Sequence, residues 1–503
     1  MSGEGVLSGA APVCLIGTET LSPEELALAV FLQGAVNRGG KKICLDIDRY
    51  TDYLTLPYRR MRLAEALDAF APDLPALAVF DYAEGDVSIN LAAAVCAAEG
   101  YLGVPRLQLP SLGKYGLPVA FDAADVRGGD AERQRTVWLR CRGKLRRDCL
   151  FHQVTEGEVY RPHLRDAAIA CGAFTFFAKT GEDDAFLEEV LGWAERGIPV
   201  YGWTENEIAF VRTLSRFGDY VVPSDWSCNH SFFGGEAPVR QRQYCVPAKI
   251  KADPRKHYLA VVVSDGDNVQ WLERNFLGDG LFGQRTAGAC SRKMSWTAPP
   301  LLARICPPAL GKAYAAAKND TFVCGVSGIG YTNCMTYPEE LLPHYAEQTA
   351  QAMREADLHV LALLDNVAHT GGGNAERRLA YFSAQEQIEG GIWQLDPDRY
   401  ESGKGKIFWS NGKPFVSVGV SLWHPSCDPA KVTDEWLDGI VRQLNARQAD
   451  IHSECGYTVL NVHPWTMDMR RVDYVLSRLA PHIEVVYAEE LLALIRENVP
   501  HAV

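Results

Sequence analysis

The chain is short of several things that would have named a chemistry at once. No run approaches the roughly twenty apolar residues needed to span a bilayer, and no Lys/Arg run is long enough to line a nucleic-acid groove. The one basic cluster, Arg140 to Arg147, reads as a solvated surface. There is no GK[ST] phosphate loop and no HxxxH or HExxH pair, and the glycine pair Gly328 and Gly330 has no third glycine at dinucleotide spacing. Fourteen cysteines contain no CxxC, and many, such as Cys44, Cys96 and Cys324, sit in apolar contexts, so they read as reduced, buried thiols. The N-terminus lacks a basic segment followed by a long apolar one. The expectations are a cytoplasmic protein with no secretory signal, no nucleotide cofactor, no nucleic-acid partner and no membrane partner.

What is present is an ordinary globular composition, 47% hydrophobic and 22% charged, with a formal net charge of −13. At 503 residues the chain exceeds what one core usually organises. Val13–Ile16, a helix Ser22–Asn37 capped by Ser22 with Glu25 three residues on, and Lys42–Leu45 form a βαβ pattern. A second unit includes Ala78 and the Ala-rich helix 90–99. A third includes Ala173–Phe177, a helix 184–196 and a strand Pro199–Gly202. Residues 234–256, polar with prolines, read as a linker. These patterns predict modules at 1–85, 86–170 and 171–245, followed by a domain at 255–503.

In that last domain apolar runs alternate with helix-like segments such as Pro338–Ala356 and Thr433–Ala446, which predicts a (β/α) barrel-like architecture. Several runs end on polar or aromatic residues. Leu259–Val263 stops on Ser264, Asp265, Gly266, Asp267 and Asn268, and His359–Leu364 stops on Asp365 and Asn366. Phe415–Leu422 leads to Trp423 and His424, and Tyr457–Val462 leads to His463, Pro464 and Trp465. The carboxyl edge of a parallel sheet is where such residues converge on a ligand.

The segments SDGDNVQW, GIGY…YP, LWHP and NVHPW, with GWTENE, PSDWSCNHS and LQGAVNR before them, resemble the family of putative glycoside hydrolases named for a GxGYxYP motif. The resemblance implies N-terminal modules, a barrel-like C-terminal domain and sugar processing. It carries over Gly328, Gly330 and Tyr331, whereas five residues rather than one separate Tyr331 from Tyr337.

A glycosidase needs a proton donor, a second carboxylate and flat faces on which sugar rings stack. Asp265, Asp267, Asp365 and Glu489 are the candidate catalytic acids. Asn268, Trp271, Trp296, Gly328, Gly330, Tyr331, Asn366, Trp423, His424, His463 and Trp465 are candidates for binding. Trp203, Glu205, Asp225 and Asn229, at the ends of apolar segments before the linker, are expected to complete the pocket from the third module. Two other chemistries fit the same residues. One is a metal-dependent deacetylase-like hydrolase, with Asp267, His424 and His463 holding a divalent ion, and the other is a carbohydrate-binding protein without turnover.

Overall fold

The computed structural model describes residues 12–155, 162–235, 239–274, 276–278, 280–334, 336–365, 374–396 and 399–501. The chain divides into two compact units, one comprising 1–146, 153–177 and 226–235, the other 147–152, 178–225 and 236–503.

The first unit holds two three-stranded parallel sheets. Val13–Gly17 lies between Ile43–Asp46 and Tyr58–Met61. The helix Pro23–Asn37 that links the first two strands starts on the expected reciprocal cap, with the Glu25 amide donating to Ser22 Oγ at 3.2 Å and the Ser22 amide donating to Glu25 Oε2 at 2.8 Å. In the second sheet Leu77–Phe80 pairs with both Leu102–Pro105 and Val119–Asp122, so the boundary expected at residue 85 falls inside it. The Ala-rich helix Ser88–Glu99 is buried over almost its whole length, which small side chains permit because neighbouring backbones can approach it closely.

In the second unit the strands Leu150–His152, Pro199–Gly202 and Tyr220–Pro223 run parallel, with helices Asp184–Trp193 and Glu207–Phe217 in the connections. The segment read as a linker is pinned rather than free. Gln243 holds the backbone of a strand of the following sheet, its Nε2 donating to Phe322 O at 3.0 Å and its Oε1 accepting from Phe322 N at 2.6 Å.

The main element of this unit is a strongly curled, mostly parallel sheet. His257–Val263, Met294–Ala298, Asp320–Cys324, Val360–Asp365 and Gly390–Leu395 are successive parallel neighbours. Their near-continuous burial explains the unbroken apolar runs, since strands covered on both faces have no solvent side to alternate with. The predicted strand over 415–422 is two strands, Lys413–Ser417 and Val420–Leu422, broken at Val418 and Gly419. The first pairs with Gly390–Leu395 and the second with Tyr457–Val462, which pairs in turn with His257–Val263. Two further strands complete the sheet. Ile407–Ser410 adds antiparallel to Lys413–Ser417, and Ile483–Val486 pairs with the first half of His257–Val263. The final helix Ala488–Asn498 lies by the amino ends of the strands, tied there by the Ala488 amide to Ser295 Oγ at 3.0 Å and by Lys293 to Glu490 at 2.8 Å.

Candidate active site

The turn after His257–Val263 is shaped by one close approach. The Gly266 amide donates to Thr297 Oγ1 at 2.8 Å, and that hydroxyl donates to Val263 O at 2.7 Å. A Cβ on Gly266 would stand 1.7 Å from Thr297 O, so only glycine fits. Pulled down at its centre, the turn puts Asp265 in the left-handed region at φ 65° and sends its two acids to different neighbours. Asp265 reaches the end of Tyr457–Val462, where Trp465 Nε1 donates to its Oδ2 at 2.5 Å and His463 Nε2 lies 3.4 Å from the same oxygen. The Asp267 backbone instead packs by Gly325, just past the end of Asp320–Cys324. Residues two apart in sequence are thereby splayed.

Asp267 is buried, and burial is the larger cause of a carboxyl pushed well above the usual range, with the charges of Asp265 and Glu207 adding to it. The shift favours its protonated form. Burial pushes the His463 imidazole down, against the smaller opposite pull of Asp265. Its ring lies flat on Trp423, centroids 3.7 Å apart and planes at 12°. Trp271 and Trp465 are stacked at 5.9 Å with planes 3° apart, and Trp465 is 62% exposed. An exposed indole beside a carboxylate gives a sugar ring a face to cover and an acid at its edge.

The third module enters through the GxGY segment. The Tyr331 amide donates to Val221 O at 2.8 Å and the Val221 amide donates back to Tyr331 O at 3.0 Å, an antiparallel bridge onto the strand Tyr220–Pro223. A Cβ on Gly330 would lie 2.3 Å from Tyr220 Cδ2 and 2.8 Å from Val221 O, so the absent side chain is what lets the loop dock. Docked, Tyr331 stacks on Trp203 at 6.4 Å, and its hydroxyl donates to Glu207 Oε1 at 2.9 Å. Tyr337 has a different task. It is buried and donates to Gly218 O, so the second tyrosine and its longer loop serve packing.

Other expected residues lie elsewhere. Trp296 is fully buried among Phe276 and Phe282 and offers no face to a ligand, because its strand position turns it toward the outer aromatic core. Glu489 sits by the amino ends of the strands, accepting from Thr321 Oγ1 at 2.9 Å, because the strand before it pairs only with the start of His257–Val263. Asp365 is at a carboxyl end but buried, lining with Cys334, Arg378 and Phe382 a cavity of about 10 Å³ beneath the helix Asn374–Ser383. Such a space holds about one water. Asn229 belongs to the first unit, where it bonds Gln33 Nε2 and the Leu45 amide, each at 2.7 Å. Glu205 is exposed, and Asp225 Oδ1 accepts from Gln270 at 3.2 Å. Asn268 Oδ1 is 3.4 Å from the same Gln270 amide. Asn366 lies outside the described residues. His424 Nδ1 is 2.7 Å from Ser426 Oγ, and its ring packs on Trp436. Among the described residues no group of three or more His, Cys, Asp or Glu is placed to hold a metal ion, so Asp267, His424 and His463 do not form a ligand set.

Three residues join the site that the sequence reading did not select. Glu207 is exposed to solvent, yet burial within surrounding protein raises its carboxyl, as do Asp265 and Asp396, while Tyr331 lowers it. Asp396, directly after Gly390–Leu395, is pushed by burial up to about 6. Tyr400, 5.1 Å from Trp423 and 6.3 Å from His463, is raised well above its usual range, first by burial and then by Asp265, Tyr331, Asp396 and Glu207. Asp396 obeys the strand-end rule used for its neighbours. Glu207 is two residues past Glu205, at the start of a helix whose Asn206 cap accepts from the Ala209 amide. Tyr400 has no sequence signal.

Residues 255–496 match the model of the GxGYxYP putative glycoside hydrolase C-terminal domain, and residues 150–235 match that of the GxGYxYP third domain; together they cover more than half of the chain. A crystal structure of a putative hydrolase from Bacteroides thetaiotaomicron is similar in fold, with a TM-score of 0.84 at 21% identity over 97% of this chain and 95% of that one. No curated protein matches the sequence.

Proposed function

Because this chain belongs to the GxGYxYP family of putative glycoside hydrolases, we propose that it cleaves glycosidic bonds with Asp265 and Asp267, at the mouth of a barrel-like sheet. The observation that carries this reading is the splayed pair. One acid is buried, which raises its pKa and favours its protonated form, while the other, in reach of an indole N–H, sits beside an exposed aromatic platform. Asp267 gives its proton to the leaving glycosidic oxygen as the anomeric C–O bond breaks. Asp265 stabilises positive charge at the anomeric carbon, either by attacking it or by taking a proton from the water that does. Trp465, with Trp271 stacked behind it, carries the sugar ring, and Tyr400, which keeps its proton, donates a hydrogen bond into the same mouth. The fourteen cysteines, most of them buried and none in a disulfide, suit a reducing compartment.

The test is hydrolysis of a panel of 4-nitrophenyl glycosides with product analysis. Asp265→Asn and Asp267→Asn should each lower kcat by about 10³-fold or more at unchanged folding. Wild-type turnover in both variants on a glycoside the native protein cleaves would remove the pair from the chemistry.

A further inference from the structure

Glu207 stands apart from the other acids of the mouth in origin. It comes from the third domain, at the first position of the helix Glu207–Phe217, while Asp265, Asp267 and Asp396 follow strands of the curled sheet. Its Oε1 accepts from Tyr331 at 2.9 Å, and no partner for Oε2 is seen among the described residues. The residue is exposed to solvent. Tyr331, which fixes it, is itself fixed twice, by the backbone bridge to Val221 and by its ring on Trp203. A solvent-exposed carboxylate with one oxygen anchored to a tyrosine that stacks on an indole is an arrangement that receives sugar hydroxyls, since each oxygen accepts in a charge-assisted bond.

We propose that Glu207 contacts the substrate, accepting hydrogen bonds from sugar hydroxyls through its free oxygen, and that Tyr331 is its positioning residue. The GxGY segment then has a definite purpose. Its second glycine lets the loop reach the third domain, and its tyrosine aims that domain's carboxylate into the mouth formed by the sheet. The proposal rests on the glycosidase reading for the identity of the ligand, though not on Asp265 or Asp267 being catalytic.

The variants are Glu207→Gln, which keeps shape and removes the charge, and Tyr331→Phe, which keeps the ring on Trp203 and the bridge to Val221 and removes only the hydroxyl. Each is measured in the full-length protein for Tm, for KM and kcat on the 4-nitrophenyl glycoside that is turned over fastest, and for calorimetric Kd of the same glycosides in an Asp267→Asn background. Glu207→Gln should raise KM and Kd about tenfold or more, the effect of weakening a charged hydrogen bond, with kcat lowered less. Tyr331→Phe should raise both several-fold with Tm unchanged, a split that a merely structural tyrosine would not produce. Unchanged Kd and kcat/KM in Glu207→Gln, with turnover still dependent on Asp265 and Asp267, would overturn the proposal and leave the hydrolase reading standing. Glycoside binding that depends on Glu207 without any turnover would do the reverse. A panel that is neither bound nor cleaved counts against both.

Discussion

Replacing Gly330 by alanine isolates the docking of the GxGY loop. The added methyl would meet Tyr220 Cδ2 at 2.3 Å and Val221 O at 2.8 Å. The tyrosine ring can shift by tenths of an ångström, whereas the carbonyl belongs to a paired strand and cannot. Relief must come from the loop, which loses the two hydrogen bonds between Tyr331 and Val221, at 2.8 and 3.0 Å. Overpacking of this kind together with two lost backbone bonds amounts to a loss of about 2 to 4 kcal/mol. Urea unfolding followed by tryptophan fluorescence reads this well, since most of the indoles lie in the second unit. Gly192 provides the control. It lies in the helix Asp184–Trp193 with nothing within 4 Å of a built Cβ, so the same substitution there should stabilise by about 0.5 to 1 kcal/mol through helix propensity. Glycoside turnover should fall in Gly330→Ala, because Tyr331 and Glu207 move with the loop, and hold in Gly192→Ala. A Gly330→Ala protein within about 0.5 kcal/mol of wild type would refute the docking argument.

Two further predictions concern buried charge. Arg285 and Asp320, whose side chains are 6% and 4% exposed, share hydrogen bonds of 2.6 to 3.2 Å; Asp320→Ala leaves the guanidinium unpaired and should cost about 3 to 5 kcal/mol in calorimetry, and a loss under 1 kcal/mol would show that water reaches the site. Asp219 is pushed by burial up to about 8 although its Oδ1 accepts from the Gly197 and Ile198 amides, and its Oδ2 is buried without a partner. A raised acid stabilises most when it is protonated in both states, so this contribution is whole below about pH 4 and is lost as pH rises through about 8. Asp219→Asn, which cannot ionise, should therefore gain on wild type between pH 5 and 9, and parallel stability profiles over that window would contradict the assignment.

The residues that sequence alone could place are those whose role is local. Apolar runs covered on both faces marked the strands, and the rule that polar residues follow such runs singled out Asp265, His463 and Trp465, which lie in contact with one another. The Ser22 cap and the thiol environments were readable for the same reason, because each depends on neighbours a few residues away or on burial of its own segment. Tertiary structure decided the rest. Whether Trp296 and Asp365 faced the mouth or the helix layer depended on which side of a curled sheet each occupied, and strand residues buried on both sides show no alternation that tells the two apart. Glu489 follows an apolar strand as the others do, but that strand pairs only with the start of its neighbour, and register is a property of two segments, not one. Glu207 meets the Tyr331 hydroxyl through a loop more than a hundred residues later that docks by lacking a side chain at Gly330, a contact that no local pattern encodes.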